Sequence, residues 1–244
     1  MRIVGCIILL AVATTAPSSL PEQLRQIDRA AGRIKDLTAH FEQRKFTALL
    51  IKPLISSGQV RGAGSVVRWD TQLPAPIVLY ADRDELRLYY PDQKAEEIYP
   101  IDQRMSDLLS SPLPRLSTIK EHFTIELADP GDLADLPRRD PVTMLALRLT
   151  PADATLAAHV RRVIVVLEMN TGLSLAVRTI DPDDDHTDII FSDIRVNTGF
   201  DEQSLEPAVP ADTAISHPLA SAPQSSPPLQ QSSPLPGPSN HANR

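Results

Sequence analysis

The densest set of side chains capable of chemistry is the run Asp181-Pro182-Asp183-Asp184-Asp185-His186. Asp181, Asp183 and Asp185 imitate the opening of a calcium loop, which also needs Gly at its sixth position and Glu at its twelfth. Those places hold His186 and Ser192, so the run reads as a solvated turn between two strands. His40, His122, His159 and His186 are scattered, without the H-x-x-x-H or H-E-x-x-H spacing that sets two imidazoles on one metal. Gly62-Ala63-Gly64-Ser65 is too short for a phosphate loop and lacks its following Lys. No G-x-S-x-G elbow selects a Ser as nucleophile. Cys6 is the only cysteine, which leaves the body of the chain without a thiolate. The residues therefore predict a protein that is not an enzyme and uses no metal or cofactor.

Composition narrows the partners. The 244 residues carry a formal net charge of −7, which argues against nucleic acid, since phosphate contact needs clustered Lys and Arg. Hydrophobic residues make up 42% of the chain and aromatics only 4%, so its apolar side chains are mostly aliphatic. Residues 1–16 predict a secretory signal peptide. Arg2 precedes the apolar run Ile3–Ala13, and Ala11-Val12-Ala13 or Ala16 offers the cleavage site. The run is too short to span a bilayer, which takes about 20 residues. Ile3-Val4-Gly5-Cys6 also resembles a lipobox, with Cys6 as the lipidated residue. From residue 207 onward nine of the 23 prolines cluster with Ser, Ala and Gln. That composition predicts a disordered tail over 207–244, leaving 20–206 as the folded domain.

The elements between follow from periodicity. Leu24, Ile27, Ala31 and Ile34 recur at three and four, after Pro21 in the first turn, and predict a helix over 21–34. Leu37, Ala39 and Phe41 then alternate with polar residues, and Phe41, Gln43 and Lys45 share one face of a strand. A Lys52-Pro53 break and a Ser56-Ser57-Gly58 turn join it to a second extended segment ending at Trp69. Strands follow at Ile77–Ala81, Leu86–Tyr90, Glu97–Pro100 and 119–127, then at 142–150, 160–169, 173–180 and 187–196. Asn170-Thr171-Gly172 forms a hairpin turn. Asp102 caps a second helix whose stripe is Met105, Leu108 and Leu109. The fold class is α+β, with one large antiparallel sheet.

The order of features resembles the periplasmic outer-membrane lipoprotein carrier family, the LolA-like proteins. The similar features are the signal peptide, the amphipathic first helix, Phe41-x-Gln43-x-Lys45, Ser57-Gly58, Arg68-Trp69 with Pro74, Leu88-Tyr89-Tyr90-Pro91, and the mid-chain helix. Phe191-x-x-Ile194-x-x-Asn197-x-Gly199-Phe200-Asp201 resembles the family's closing strand and turn. The resemblance implies a curved sheet forming an unclosed β-barrel covered by a helical lid. It further implies a monomer in the periplasm that carries acylated lipoproteins from an inner-membrane lipoprotein-releasing complex to an outer-membrane receptor. The cavity wall it implies is Phe41, Trp69, Leu79, Leu88, Tyr90 and Ile98, and the lid Met105, Leu108 and Leu109. The family often has an Arg between the Gly and the Trp that couples lipid binding to lid movement. This chain reads Arg61-Gly62-Ala63-Gly64 there, so either Arg61 has that role or the role is absent. A LolA-like envelope protein that binds another lipid, or acts as a protein-interaction module, stays open as the alternative.

Overall fold

A computed structural model describes residues 19–101, 116–136 and 143–218. The chain opens with α1 (Leu20–Ala31). Pro21 lies in its first turn, and the Ser19 N–H donates to the Glu22 carboxylate at 2.9 Å. Ile27 and Ala31 form its buried edge and Arg25 and Arg29 lie on its solvent side; the helix ends at Ala31, before Gly32 and short of the expected residue 34. Six strands follow: β1 (Asp36–Phe46), β2 (Leu54–Ala63), β3 (Val66–Leu73), β4 (Ile77–Ala81), β5 (Glu85–Tyr90) and β6 (Ala95–Pro100). A single helical turn, α2 (Leu116–Ile119), leads into β7 (Phe123–Leu127) and β8 (Met144–Pro151). The turn α3 (Ala154–Ala157), capped by Asp153, connects to β9 (Arg162–Glu168), β10 (Ser174–Ile180), β11 (His186–Val196) and β12 (Ala214–Ser216).

These strands make one sheet in the order β12-β6-β5-β4-β3-β2-β1-β11-β10-β9-β8-β7. Its end strands, β12 and β7, are not paired with each other, so the barrel is unclosed. Every pairing is antiparallel except β12 on β6, which makes the sheet mixed. Ser56, Ser57 and Gly58 lie inside β2. The expected turn there is a register shift in the β2–β3 ladder at Ser57/Gly58, and the chain reverses earlier, in the Thr47–Pro53 loop. Around that loop Leu49, Leu50, Ile51, Leu54 and Ile55 are exposed. The Asn170–Gly172 turn forms as the residues predict, with Gly172 at φ +76° and close against Ile27 and Ala31 of α1.

The expected domain end at 206 falls short of the folded chain. Residues 207–218 continue the structure, and β12 adds to the edge of β6, with the Ala214 N–H donating to the Lys94 carbonyl at 2.9 Å. Backbone pairing supplies what the side-chain composition lacks, which is why composition alone hides this strand. The expected signal peptide, the helix at 102–111 with Met105, Leu108 and Leu109, and the remainder of the tail lie outside the described residues.

One buried carboxylate fixes how the last long strand meets the first. Asp36 accepts from the Thr198 N–H at 2.7 Å, the Thr198 hydroxyl at 2.7 Å and the Gly199 N–H at 2.9 Å. Asn197, at φ 56°, completes the junction, because its side-chain oxygen accepts from the Lys35 N–H at 2.8 Å. The chain then runs along the side of the sheet that Asp36 faces, where Phe200 and Leu205 pack on Ala63, Val66 and Tyr80. Burial pushes the Asp36 carboxyl up, but the hydrogen bonds from Thr198 and Gly199 outweigh it and hold the group below the ordinary carboxylate range.

These contacts set how stability responds to pH and to substitution. A carboxyl with a depressed folded-state pKa stabilises the fold above the unfolded value of about 4, and that contribution is lost as pH falls through the folded value. Asp36→Asn is therefore expected to lower the urea midpoint at pH 7, with the difference from wild type shrinking in acid. Gly58→Val is expected to cost about 2 kcal/mol or more by overpacking, because a Cβ at Gly58 would meet the Asp70 carbonyl oxygen at 2.0 Å. Ile51→Ser, at a fully exposed position, should change stability by less than about 0.5 kcal/mol in the same urea titration.

Candidate lipid-facing wall

Paired residues of neighbouring strands point to the same side, and the side alternates with every step along a strand. Away from the register shifts at Thr38/His40, Ser57/Gly58 and Ser174/Ala176, the register therefore sorts the side chains. On β1, Phe41 pairs with Gly58 of β2 on one flank and Phe191 of β11 on the other. Val60 of β2 pairs with Trp69, Trp69 with Leu79, Leu79 with Leu88, and Leu88 with Glu97. Tyr90 lies two residues beyond Leu88 and shares that side. In the other direction the same face continues through Ile189, Val177, Val165 and Leu147 to Leu127. One apolar inner face thus runs across the sheet.

Its two halves differ in cover. Over β7–β10, Ile27 of α1 and Leu116 and Ile119 of α2 pack on Phe123, Leu145, Leu147, Leu149, Val163, Val165 and Leu167. The Leu116 N–H also donates to Asp28 of α1 at 3.1 Å. Over β1–β5 and β11 the cluster contains Ala39, Phe41, Val60, Val67, Ala81 and Phe191, with Trp69, Leu79, Leu86 and Ile101 half-buried against them. Among the described residues no helix packs on this second half. Its centre is an aromatic triplet. The ring centroids of Phe41 and Trp69 are 5.0 Å apart, edge to face, and those of Trp69 and Phe191 are 5.9 Å apart.

Five of the six wall residues expected from the sequence, Phe41, Trp69, Leu79, Leu88 and Tyr90, share this face. Ile98 does not. It pairs with Arg87, one step out of phase with Glu97, and so faces the opposite side; the sequence read its strand correctly but assigned the wrong parity. Phe191, Val60 and Leu86 share this face as well and were not among the expected residues. Phe191 lies in the strand expected at 187–196, but only the pairing with β1 shows which face it joins.

Arg61 is also on the outer side. It pairs with Arg68 across the ladder, and its guanidinium contacts Asp70 at 2.7 Å. The outer side is where the charged clasps lie. Arg68 binds Asp70 at 2.7 Å and donates to the Leu205 carbonyl at 3.2 Å. Arg87 joins the buried Glu96 at 2.9 Å to Glu206 at 2.7 Å. Arg178 holds the buried Asp188 at 2.6 Å. Burial lowers the Arg87 pKa, and the hydrogen bonds to Glu96 and Glu206 more than reverse that, so the guanidinium keeps its proton.

The inner face has a single carboxylate among its described strand positions. This is Glu97, which accepts from Tyr99 Oη at 2.9 Å and Tyr90 Oη at 3.2 Å, both on Oε2. Burial and then the charge of Glu97 push the Tyr90 hydroxyl up, and the hydrogen bond to Glu97 does the same to Tyr99. Both phenols remain donors at neutral pH.

The architecture is an unclosed sheet with one apolar face, partly covered by helices among the described residues. Comparison with known proteins gives the particular likeness. The chain matches no family model. The outer-membrane lipoprotein carrier protein of Azotobacter vinelandii (strain DJ / ATCC BAA-1303) is 25% identical over 222 residues, which is 88% of this chain and 99% of that protein. The protein of the same name from Pseudomonas aeruginosa (strain UCBPP-PA14) is 23% identical over 221 residues, 86% of this chain and 96% of that one. Among solved structures, an uncharacterized conserved protein from Thermus thermophilus shares the fold, with a TM-score of 0.51 at 11% identity over 82% of this chain and 99% of that one. The chain is similar to the outer-membrane lipoprotein carriers along most of its length, as its LolA-like motif order implies.

On this register a charge at Leu79 enters the apolar face, while a charge at Ile98 meets Arg87 and solvent. Leu79→Glu is expected to weaken binding of a hydrophobic dye at least tenfold, and Ile98→Glu to change it less than twofold, read as dye fluorescence against protein concentration.

Proposed function

We propose that this protein is a non-catalytic periplasmic carrier that shelters the acyl chains of lipoproteins on its inner face between the inner and outer membranes. The observation that carries the reading is the apolar half-sheet from Phe41 through Trp69 and Leu79 to Leu88, which no described helix covers. A buried methylene is worth about 0.8 kcal/mol, so keeping one long acyl chain from water requires on the order of 10 kcal/mol of apolar contact. An aliphatic wall several strands wide supplies contact of that kind without fixing the ligand in one pose. In this reading residues 1–16 export the chain. An inner-membrane lipoprotein-releasing complex loads it, and an outer-membrane receptor unloads it.

One observation favours a second cargo over the family's usual one. No Arg occupies the inner face among the described strand positions, and Arg61 is engaged with Asp70 on the outer side. A relative with the same architecture and a different acylated ligand accommodates that difference.

Trp69 tests the proposal directly, because it is the only Trp and sits within the wall. Titration of the full-length mature protein with a diacylated peptide is expected to shift Trp69 emission to shorter wavelength and saturate near equal stoichiometry. The same peptide without its acyl chains should leave the emission unchanged. An emission spectrum indifferent to the acylated peptide, with no lipid in material isolated from the cell envelope, would overturn the proposal.

A further inference from the structure

Glu97 is out of place on a wall built to hold hydrocarbon. It stands directly across from Leu88, with Leu79 and Trp69 next along the same row. Placing a carboxylate beside that surface is unfavourable unless hydrogen bonds compensate it. Tyr90 and Tyr99 supply two, and both go to Oε2. A carboxylate offers about four acceptor positions, and Oε1 has no partner among the described residues. No described ion pair includes Glu97, whereas its neighbour Glu96, on the opposite side, is neutralised by Arg87. Among the described residues the tyrosines thus hold one carboxylate oxygen and leave the other free to accept, beside the apolar row.

We infer that Glu97, held by Tyr90 and Tyr99, receives a primary ammonium group carried by the acylated ligand whose chain lies along Leu88, Leu79 and Trp69. The inference rests on the acyl-carrier reading above and deepens it by naming the polar chemistry of the cargo. Two sources carry that chemistry: the free α-amino group of a diacylated N-terminal cysteine, and the ethanolamine headgroup of a phospholipid. Both tie an ammonium covalently to the acyl chains through a glyceryl linker. An N-acylated terminus carries none and would leave Oε1 desolvated beside an amide.

Competition against a bound hydrophobic dye tests this with the full-length mature protein and two ligand pairs. One pair is a diacylglyceryl-cysteine peptide with a free amine and its N-acetylated twin. The other is phosphatidylethanolamine and phosphatidylglycerol. A charge-assisted hydrogen bond predicts about tenfold tighter binding of the amine-bearing member. Preference within the peptide pair assigns the site to a lipoprotein terminus; preference within the lipid pair alone assigns it to a headgroup. In Glu97→Gln, which keeps the shape of the side chain, the ratio is expected to fall to about one. Equal binding within both wild-type pairs overturns the inference while leaving the acyl-carrier reading intact, as does a wild-type ratio that survives Glu97→Gln. Failure of all four ligands to displace the dye removes both. The wild-type ratios decide the matter even if the variant does not fold.

Discussion

The structure depends on one geometric constraint, the strict alternation of sides along paired strands. Because Phe41 is held between Gly58 and Phe191, every strand outward from β1 has its parity set. A slip of one residue anywhere in that ladder would exchange the aliphatic row for Arg61, Arg68, Asp70 and Arg87. Several devices prevent it. Asp36 binds the backbone of Thr198 and Gly199 and ties the start of β1 to the end of β11. Gly58 admits no side chain against Asp70. The aromatic packing of Phe41, Trp69 and Phe191 rewards only the observed alignment.

The two sides of the sheet solve different problems. The outer side is closed by charge and backbone. Arg68 and Arg87 reach from the strands to residues 205 and 206, and the chain then runs on to pair β12 with β6. Near β8–β10, Asp132 and Asp188 are matched by Arg148 and Arg178. Paired charges of this kind are specific in geometry and contribute modestly to stability. The inner side has almost no such groups, so its cohesion comes from dispersion and exclusion of water, which are non-directional. Rigid polar fastening on one face therefore leaves the other free to be generic.

Much of this was legible in the sequence. The α1 stripe of Leu24, Ile27 and Ala31, the alternation of Leu37, Ala39 and Phe41, and the Asn170–Gly172 turn are local patterns, and local physics fixes them. The Asp181–His186 run becomes the β10–β11 turn for the same reason. What was not legible is non-local. Ile98 looked like its neighbours until the pairing of β6 with β5 placed it opposite Arg87. Ser56-Ser57-Gly58 has turn composition but is held in β2 by ladders on both sides. β12 is three residues in a Pro-rich stretch, and only the open edge of β6 makes it a strand. The Glu97–Tyr90–Tyr99 cluster spans two strands and has no linear signature.

The central claim is that hydrocarbon lies on the inner face of the β1–β6 half. Methyl-resolved NMR of the isotope-labelled protein, recorded with and without a spin-labelled long-chain acyl ligand, tests it most directly. The account predicts paramagnetic broadening of the Val60, Leu79, Leu86 and Leu88 methyls, with those of Val78 and Ile98 spared. Broadening centred on Val78 and Ile98, or none on either side, would contradict it.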